Sequence, residues 1–112
     1  MTQNWDGVVE IIKERFGNET DLKAILFVIG MREYGKKEKK FSKEQKTDLM
    51  NLAVCKILSL EGYFIIKDYD LEGWPVWQQT KPLPTMDNKQ QEEFIREKVV
   101  NYFKFEKLFA AA

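Results

Sequence analysis

The side chains that could carry out catalysis are few in this chain. It contains no histidine, the residue that most often acts as a general acid–base group and as a transition-metal ligand. Its single cysteine, Cys55, lies among apolar neighbours and has no imidazole to activate it. A buried, inert thiol is the expected result. We therefore predict no catalytic residue and no enzymatic activity.

Acidic side chains are the remaining candidates for a metal site. Asp68, Asp70 and Glu72 alternate along one short segment, and oxygen ligands of this kind suit magnesium or calcium. Their spacing matches no known metal-binding loop, however, and charged residues are typical of an exposed edge strand. Gly30 and Gly35 lack the spacing of a phosphate-binding loop. We predict neither a metal site nor a cofactor.

A basic segment provides one hypothesis about function. Between Gly35 and Lys46, six lysines stand against two glutamates, which leaves a local charge of +4. A helix that begins in this segment could place polar side chains in the major groove of DNA. The candidate nucleic-acid contacts are Lys36, Lys37, Lys39, Lys40, Lys43, Gln45 and Lys46. Against this, the neighbouring hairpin is acidic and would repel phosphates.

Aromatic side chains provide the other hypothesis. Tyr63, Tyr69, Trp74 and Trp77 lie on a predicted hairpin, which can bury only one face against helices. Exposed tryptophan and tyrosine are typical of protein-binding hot spots. We predict a protein interface that includes two further residues, outside the main apolar stripe of the last helix. The candidates are Tyr63, Tyr69, Trp74, Trp77, Val100 and Phe103.

Four helices are expected to position these side chains. Asn4 or Asp6 caps the first, Thr20 or Asp21 the second, Ser42 with Gln45 the third, and Asp87 with Gln90 the fourth. The predicted ends are Phe16, Tyr34, Leu60 and Phe109. The first and last helices carry apolar stripes at helical spacing, whose members are Trp5, Val8, Val9, Ile12 and Phe16, and Phe94, Ile95, Val99, Tyr102, Phe105 and Phe109.

The third helix and the hairpin form the predicted centre of the molecule. From Leu49 onwards the helix is apolar on nearly every side, which is typical of a buried helix. Gly30, in the second helix, suggests close helix packing. The residues Asp70–Gly73 suit a type I turn leading into a bulge, between strands 63–69 and 74–78. Pro75 lacks an amide donor and therefore indicates an edge strand or a bulge.

These elements define a single α+β, predominantly helical domain over residues 1–112. It comprises a helical core with the hairpin (1–80), a proline-containing connector (81–86) and a C-terminal helix (87–112). The order over residues 5–80 is similar to that of a winged helix without its first strand. The residues Gly62-Tyr63 and the segment 70–77 resemble an uncharacterised family of small bacterial proteins, and this resemblance implies no function.

Overall charge and cysteine use limit the choice of partners. The formal net charge is zero, so nothing global attracts the chain to nucleic acid or to an anionic membrane. A single cysteine and the absence of a signal-like N-terminal segment favour the cytoplasm. We predict a non-enzymatic protein-interaction or assembly domain, with a protein partner or a second copy as its ligand. The alternative is a nucleic-acid-binding winged helix that uses the segment Lys36–Lys46.

Overall fold

The computed structural model of the chain describes residues 2–35 and 40–110. Its elements are α1 (Trp5–Phe16), α2 (Leu22–Tyr34), α3 (Lys43–Ser59), β1 (Phe64–Tyr69), β2 (Pro75–Gln79), α4 (Asn88–Phe105) and a 3-10 turn (Leu108–Ala110). The predicted α+β class, predominantly helical, is confirmed. The predicted order of three helices, a hairpin and a C-terminal helix is also confirmed.

Side-chain caps fix where the helices begin. In α3 the Gln45 amide donates to Ser42 Oγ at 3.1 Å, and the Ser42 amide donates to Gln45 Oε1 at 2.8 Å. Asp87 and Gln90 form the same reciprocal pair at the start of α4. Each box satisfies backbone donors that the first turn of a helix leaves without partners. Both boxes are as the sequence predicts.

The hairpin turn also follows the prediction. The Gly73 amide donates to the Asp70 carbonyl at 3.0 Å, and the Asp70 amide donates to the Trp74 carbonyl at 2.9 Å. Gly73 has φ +87°, a conformation that glycine adopts without the steric cost that a side chain brings. A type I turn followed by a residue in this conformation gives a three-residue hairpin loop.

The antiparallel strands are offset by one residue at Lys67. Ile66 pairs with Trp77 and Asp68 pairs with Val76, so Lys67 has no partner in the register. Such a bulge restores a common face beyond it. Ile66, Tyr69, Pro75 and Trp77 therefore share the inner face, and Ile65, Asp68, Val76 and Gln78 share the outer one.

The contacts divide the described residues into two compact units. The first comprises Met1–Ile25 and Thr85–Ala112, and the second comprises Leu26–Pro84. The buried apolar side chains of the first unit are Val8, Ile11, Ile12, Ile25, Val99, Tyr102, Phe103 and Phe109. Those of the second unit are Leu26, Ile29, Leu49, Leu52, Ala53, Ile57 and Leu58. The single domain over 1–112 stays a prediction.

Two predicted core residues of the first unit are exposed. Phe16 is 57% exposed because α1 ends there, and Phe105 is 65% exposed. The prediction that α4 continues to Phe109 is also wrong, since the helix ends at Phe105. Lys107 has φ +58° and turns the chain, so that Phe109 is buried from a separate 3-10 turn. Helical spacing therefore misplaces Phe105.

In the second unit, α2 and α3 approach closely at Gly30. A methyl group at Gly30 would overlap the carbonyl oxygen of Leu49, as the predicted close packing requires. Only one side of α3 is fully buried, however. Asp48 and Asn51 are exposed and Cys55 is half-buried, so the prediction of a helix buried on nearly every side is wrong on this flank. This exposed flank of α3 faces the hairpin across an open space.

Candidate functional site

The exposed flank of α3 and the inner face of the hairpin enclose a cleft of about 310 Å³, hereafter the acidic cleft. Asp48, Asn51, Leu52 and Cys55 line it from the helix. The hairpin lines it with Asp70, Glu72, Trp74, Pro75 and Trp77. Two indole rings and three carboxylates thus border one concave space. The lining contains no lysine or arginine among the described residues.

A second cleft of about 250 Å³ lies on the other side of Trp77 and Pro75. Both residues, together with Leu52, line both clefts. The second cleft also contains Lys56 Nζ, which lies 3.8 Å from Glu33 Oε1. The lining of this cleft is therefore closer to charge balance than that of the acidic cleft.

The ring of Trp74 stacks on Tyr34, the last residue of α2. The ring centroids are 4.6 Å apart and the planes differ by 24°. An offset stack of this kind adds about 0.5–1.5 kcal/mol beyond the burial of the rings. It fixes the turn end of the hairpin to α2 and holds Trp74 at the wall of the acidic cleft.

The three carboxylates of the acidic cleft differ in what they contact. Asp70 Oδ1 accepts from the amides of Glu72 and Trp74, both at 2.9 Å. This carboxylate therefore shapes the turn. Within the described residues, the side chains of Asp48 and Glu72 make no hydrogen bond or ion pair. Their charges remain available to a ligand.

Cys55 is the one nucleophilic side chain of the cleft. Burial raises the pKa of its thiol, because the thiolate loses hydration when it is partly enclosed. A raised pKa keeps the group protonated and unreactive near neutral pH. The described residues also contain no cluster of three metal-ligating side chains.

The hairpin also exposes apolar side chains directly to solvent. Eight large apolar residues are strongly exposed in the described parts of the chain, and five of them lie on this one element. They are Ile65, Ile66, Tyr69, Leu71 and Val76. Tyr69 is 60% exposed, Ile65 is 50% exposed, and Leu71 at the tip is fully exposed. These five side chains, hereafter the apolar patch, are spread over both faces and the tip of the hairpin: Ile66 and Tyr69 lie on the inner face, and Ile65 and Val76 lie on the outer one.

The predicted interface residues of the second unit occupy different places on and beside the hairpin. Trp74 and Trp77 border the acidic cleft, and Tyr69 lines the second cleft. Tyr63 is half-buried before β1, with Lys81 Nζ 4.2 Å from its ring centroid. The other two predicted residues belong to α4 in the first unit.

Neither of the two α4 residues is among the strongly exposed apolar side chains. Val100 is half-buried. Phe103 is only 3% exposed and packs against Tyr102 and Phe109. It therefore belongs to the core of the first unit, because the 3-10 turn brings Phe109 back onto it. Phe103 is therefore too deeply buried to contribute to the interface predicted from the sequence.

The candidate nucleic-acid contacts are only partly described. Lys36, Lys37 and Lys39 lie outside the described residues. Lys40, Lys43 and Lys46 are exposed, as is Gln45, whose side-chain oxygen is already bonded to the Ser42 amide. Asp68, Asp70 and Glu72 are exposed on the hairpin. The hairpin therefore presents negative charge where a DNA-binding wing presents positive charge.

Sequence reasoning missed several residues of the two clefts. Nothing in the sequence around Tyr34 indicates that its ring stacks on Trp74, because the two positions are 40 residues apart. Asp48 and Asn51 are the available signal for the cleft: they are two polar residues about one turn apart, one just before the apolar run of α3 and one within it. A strip of this kind marks an exposed flank.

The chain matches no protein-family model, no curated protein and no solved structure. No helix within the described ranges is both long enough and apolar enough to cross a membrane. The resemblance of the hairpin segment to a small bacterial family stays a prediction.

Proposed function

We propose that this chain is a non-enzymatic protein-interaction domain that binds its partner through the hairpin. The observation that carries the proposal is the concentration of exposed apolar side chains on β1, β2 and their turn. Isolated exposed apolar residues are common on protein surfaces, but grouped ones mark interaction sites. An exposed tyrosine beside branched aliphatic residues is also typical of binding hot spots.

The outer face of the hairpin is the place to test this proposal. Ile65 and Val76 are exposed on this face, and neither belongs to the buried core. Replacing each with threonine keeps the β-branched shape that a strand favours and removes apolar surface. Trp74 and Trp77 are poorer test positions, because Trp74 stacks on Tyr34 and Trp77 is half-buried. Their loss would also weaken the hairpin itself.

The experiment begins with light scattering of the full chain, which distinguishes self-association from a monomer. A photo-crosslinking amino acid at Leu71 then captures a partner, which is purified and titrated against the variants. We expect Ile65→Thr with Val76→Thr to weaken binding at least tenfold. Leu83→Thr is the matched control, since Leu83 is exposed outside the hairpin. Unchanged affinity for the double variant would refute the proposal.

Nucleic-acid binding through the basic segment is the alternative. It predicts binding to duplex DNA that falls steeply with salt, with a slope of about −0.9 per phosphate contacted. Lys43→Ala with Lys46→Ala would then reduce binding, while Ile65→Thr would not. The exposed carboxylates of the hairpin make this function the second choice, because they repel phosphates. The same titrations decide between the two.

A further inference from the structure

We propose that the acidic cleft receives an arginine side chain from the protein partner, an inference that rests on the proposed function. The cleft lies between α3 and the hairpin, and its volume is about 310 Å³. This value is at the lower end of the range for ligand pockets, about 300–1,000 Å³. A space of this size suits one long side chain rather than a folded element.

The carboxylates that line the cleft indicate that a group bound there carries a positive charge. Asp48 approaches from the helix, and Asp70 and Glu72 approach from the hairpin. No basic residue in the described lining offsets them. The side chains of Asp48 and Glu72 form no hydrogen bond or ion pair within the described part of the chain. A cation that enters between the two walls gains charge-assisted hydrogen bonds that the free chain does not make.

The aromatic walls distinguish arginine from other cations. Trp74 and Trp77 both line the cleft, and indole is the strongest aromatic partner for a cation. A guanidinium group is planar, stacks on aromatic rings and carries five donors, whereas a lysine ammonium is a strongly hydrated point charge. Arginine is also enriched at protein interfaces, where lysine is depleted.

The apolar patch and the cleft are parts of the same hairpin. Pro75 and Trp77 line the cleft from the inner face, and Val76 between them is exposed on the outer face. At the tip, the exposed Leu71 stands between Asp70 and Glu72, which both line the cleft, so a partner that covers Leu71 would place its own rim residues near the mouth of the cleft. Rim charges of an interface fix orientation and speed association. The arginine would set the register of the partner on the hairpin.

The first test uses two peptides, acetylated tetra-arginine and acetylated tetra-citrulline, titrated into the full chain at physiological salt. Citrulline retains the planar shape of arginine but is neutral. Nuclear magnetic resonance follows the indole N–H signals of the three tryptophans. We expect the signals of Trp74 and Trp77 to shift with tetra-arginine, and affinity for tetra-citrulline to be at least about tenfold weaker.

Trp5 is the internal control of this experiment. It belongs to the first unit, and its ring already lies 5.0 Å from the Arg96 guanidinium. Its signal should not move. Equal shifts at Trp5, or equal affinity for the two peptides, would overturn the inference, because either result means that the peptide binds without using this cleft.

The second test removes the charges one at a time. Asp48→Asn and Glu72→Gln should each weaken tetra-arginine binding about three- to tenfold, and the double variant should weaken it further. Asp70 is left unchanged because its carboxylate holds the turn. Glu44→Gln is the matched control, an exposed carboxylate in the first turn of α3. Unchanged affinity for Asp48→Asn with Glu72→Gln would overturn the inference.

The purified partner separates this inference from the proposed function. If Ile65→Thr with Val76→Thr abolishes partner binding while Asp48→Asn with Glu72→Gln does not, the hairpin interface stands and the arginine site is refuted. If both double variants weaken partner binding at least tenfold, both proposals are supported. If neither changes it, the proposed function fails as well. Substituting each partner arginine with citrulline then identifies the one that enters the cleft.

Discussion

Asp70 organises the hairpin tip through backbone contacts. Its carboxylate accepts from the amides of Glu72 and Trp74, the local bonding that makes aspartate common at the first position of a turn. The sequence identified Asp70 as a turn residue and also raised it as a metal ligand. The structure shows why the first assignment is the better one: this carboxylate is engaged by its own turn.

We predict that Asp70→Ala lowers the free energy of unfolding by about 1 kcal/mol, because two turn amides lose their acceptor. Urea denaturation followed by tryptophan fluorescence measures the change. Glu72→Ala is the matched control in the same turn, and its effect should stay within about 0.5 kcal/mol. Equal losses for the two variants would contradict the assigned role of Asp70.

The thiol of Cys55 has a pKa that burial raises above its ordinary value. We predict that iodoacetamide alkylates it more slowly in the folded chain than in urea at the same pH. The folded rate should also keep rising at pH values where the unfolded rate has levelled off. Mass spectrometry measures both rates, with Cys55→Ser as the background control. Identical pH profiles would show that the thiol is not shielded.

The same pKa shift has a consequence for stability. The folded chain holds the thiol proton more tightly than the unfolded chain does. The stabilising contribution is therefore complete below the unfolded pKa and is lost as pH rises through the folded one.

Among the helices, the crossing of α2 and α3 depends on the absence of a side chain at Gly30. Alanine normally stabilises a helix interior relative to glycine by about 1 kcal/mol. Here the added methyl group would overlap the Leu49 carbonyl, so the helices must move apart. Alanine at this position is therefore expected to destabilise the fold, although alanine usually stabilises a helix interior.

We predict that Gly30→Ala lowers the free energy of unfolding by about 1–3 kcal/mol, the usual cost of overpacking a core. Chemical denaturation measures it. Lys23→Ala, at an exposed position of the same helix, should change stability by no more than about 0.5 kcal/mol. A Gly30→Ala chain that is more stable than the parent would show that the two helices separate at no cost.

The sequence predicts the helix starts and the hairpin turn correctly where a short motif specifies them. Ser42 with Gln45, Asp87 with Gln90, and the turn Asp70–Gly73 are short motifs whose bonding partners lie within four residues. The misplaced residues depend on distant contacts or on an unforeseen break. Phe105 follows the helical stripe of α4, but Lys107 turns the chain and Phe109 takes the buried position instead. The Tyr34–Trp74 stack has no local signature, since it joins α2 to the hairpin. Asp48 and Asn51 mark only the helix side of the acidic cleft, because its other wall comes from the hairpin.

At the scale of the whole molecule the net charge is zero, but charges of one sign are concentrated in particular segments of the chain. Lysines cluster before and within the first turns of α3, whereas carboxylates cluster at the hairpin and the acidic cleft. The local charge of a segment can therefore differ from the zero net charge of the chain. Composition alone hides this property, which depends on which charges the fold places together.

We predict that the chain is least soluble near pH 6.3, its calculated isoelectric point, because net repulsion between molecules is then smallest. Precipitation by polyethylene glycol across a pH series measures this. Lys40→Glu, at an exposed position, should shift the minimum to lower pH. A minimum that does not move would show that the apolar patch, not charge, controls association.

The unpaired Lys67 has a consequence for how copies of the chain behave at high concentration. A two-stranded ribbon has two open sides, and each is a template on which amyloid-like growth can start. Here the bulge interrupts one side, and Pro75 removes an amide from the other. The two strands can therefore expose apolar side chains and still be a poor template for the addition of further strands.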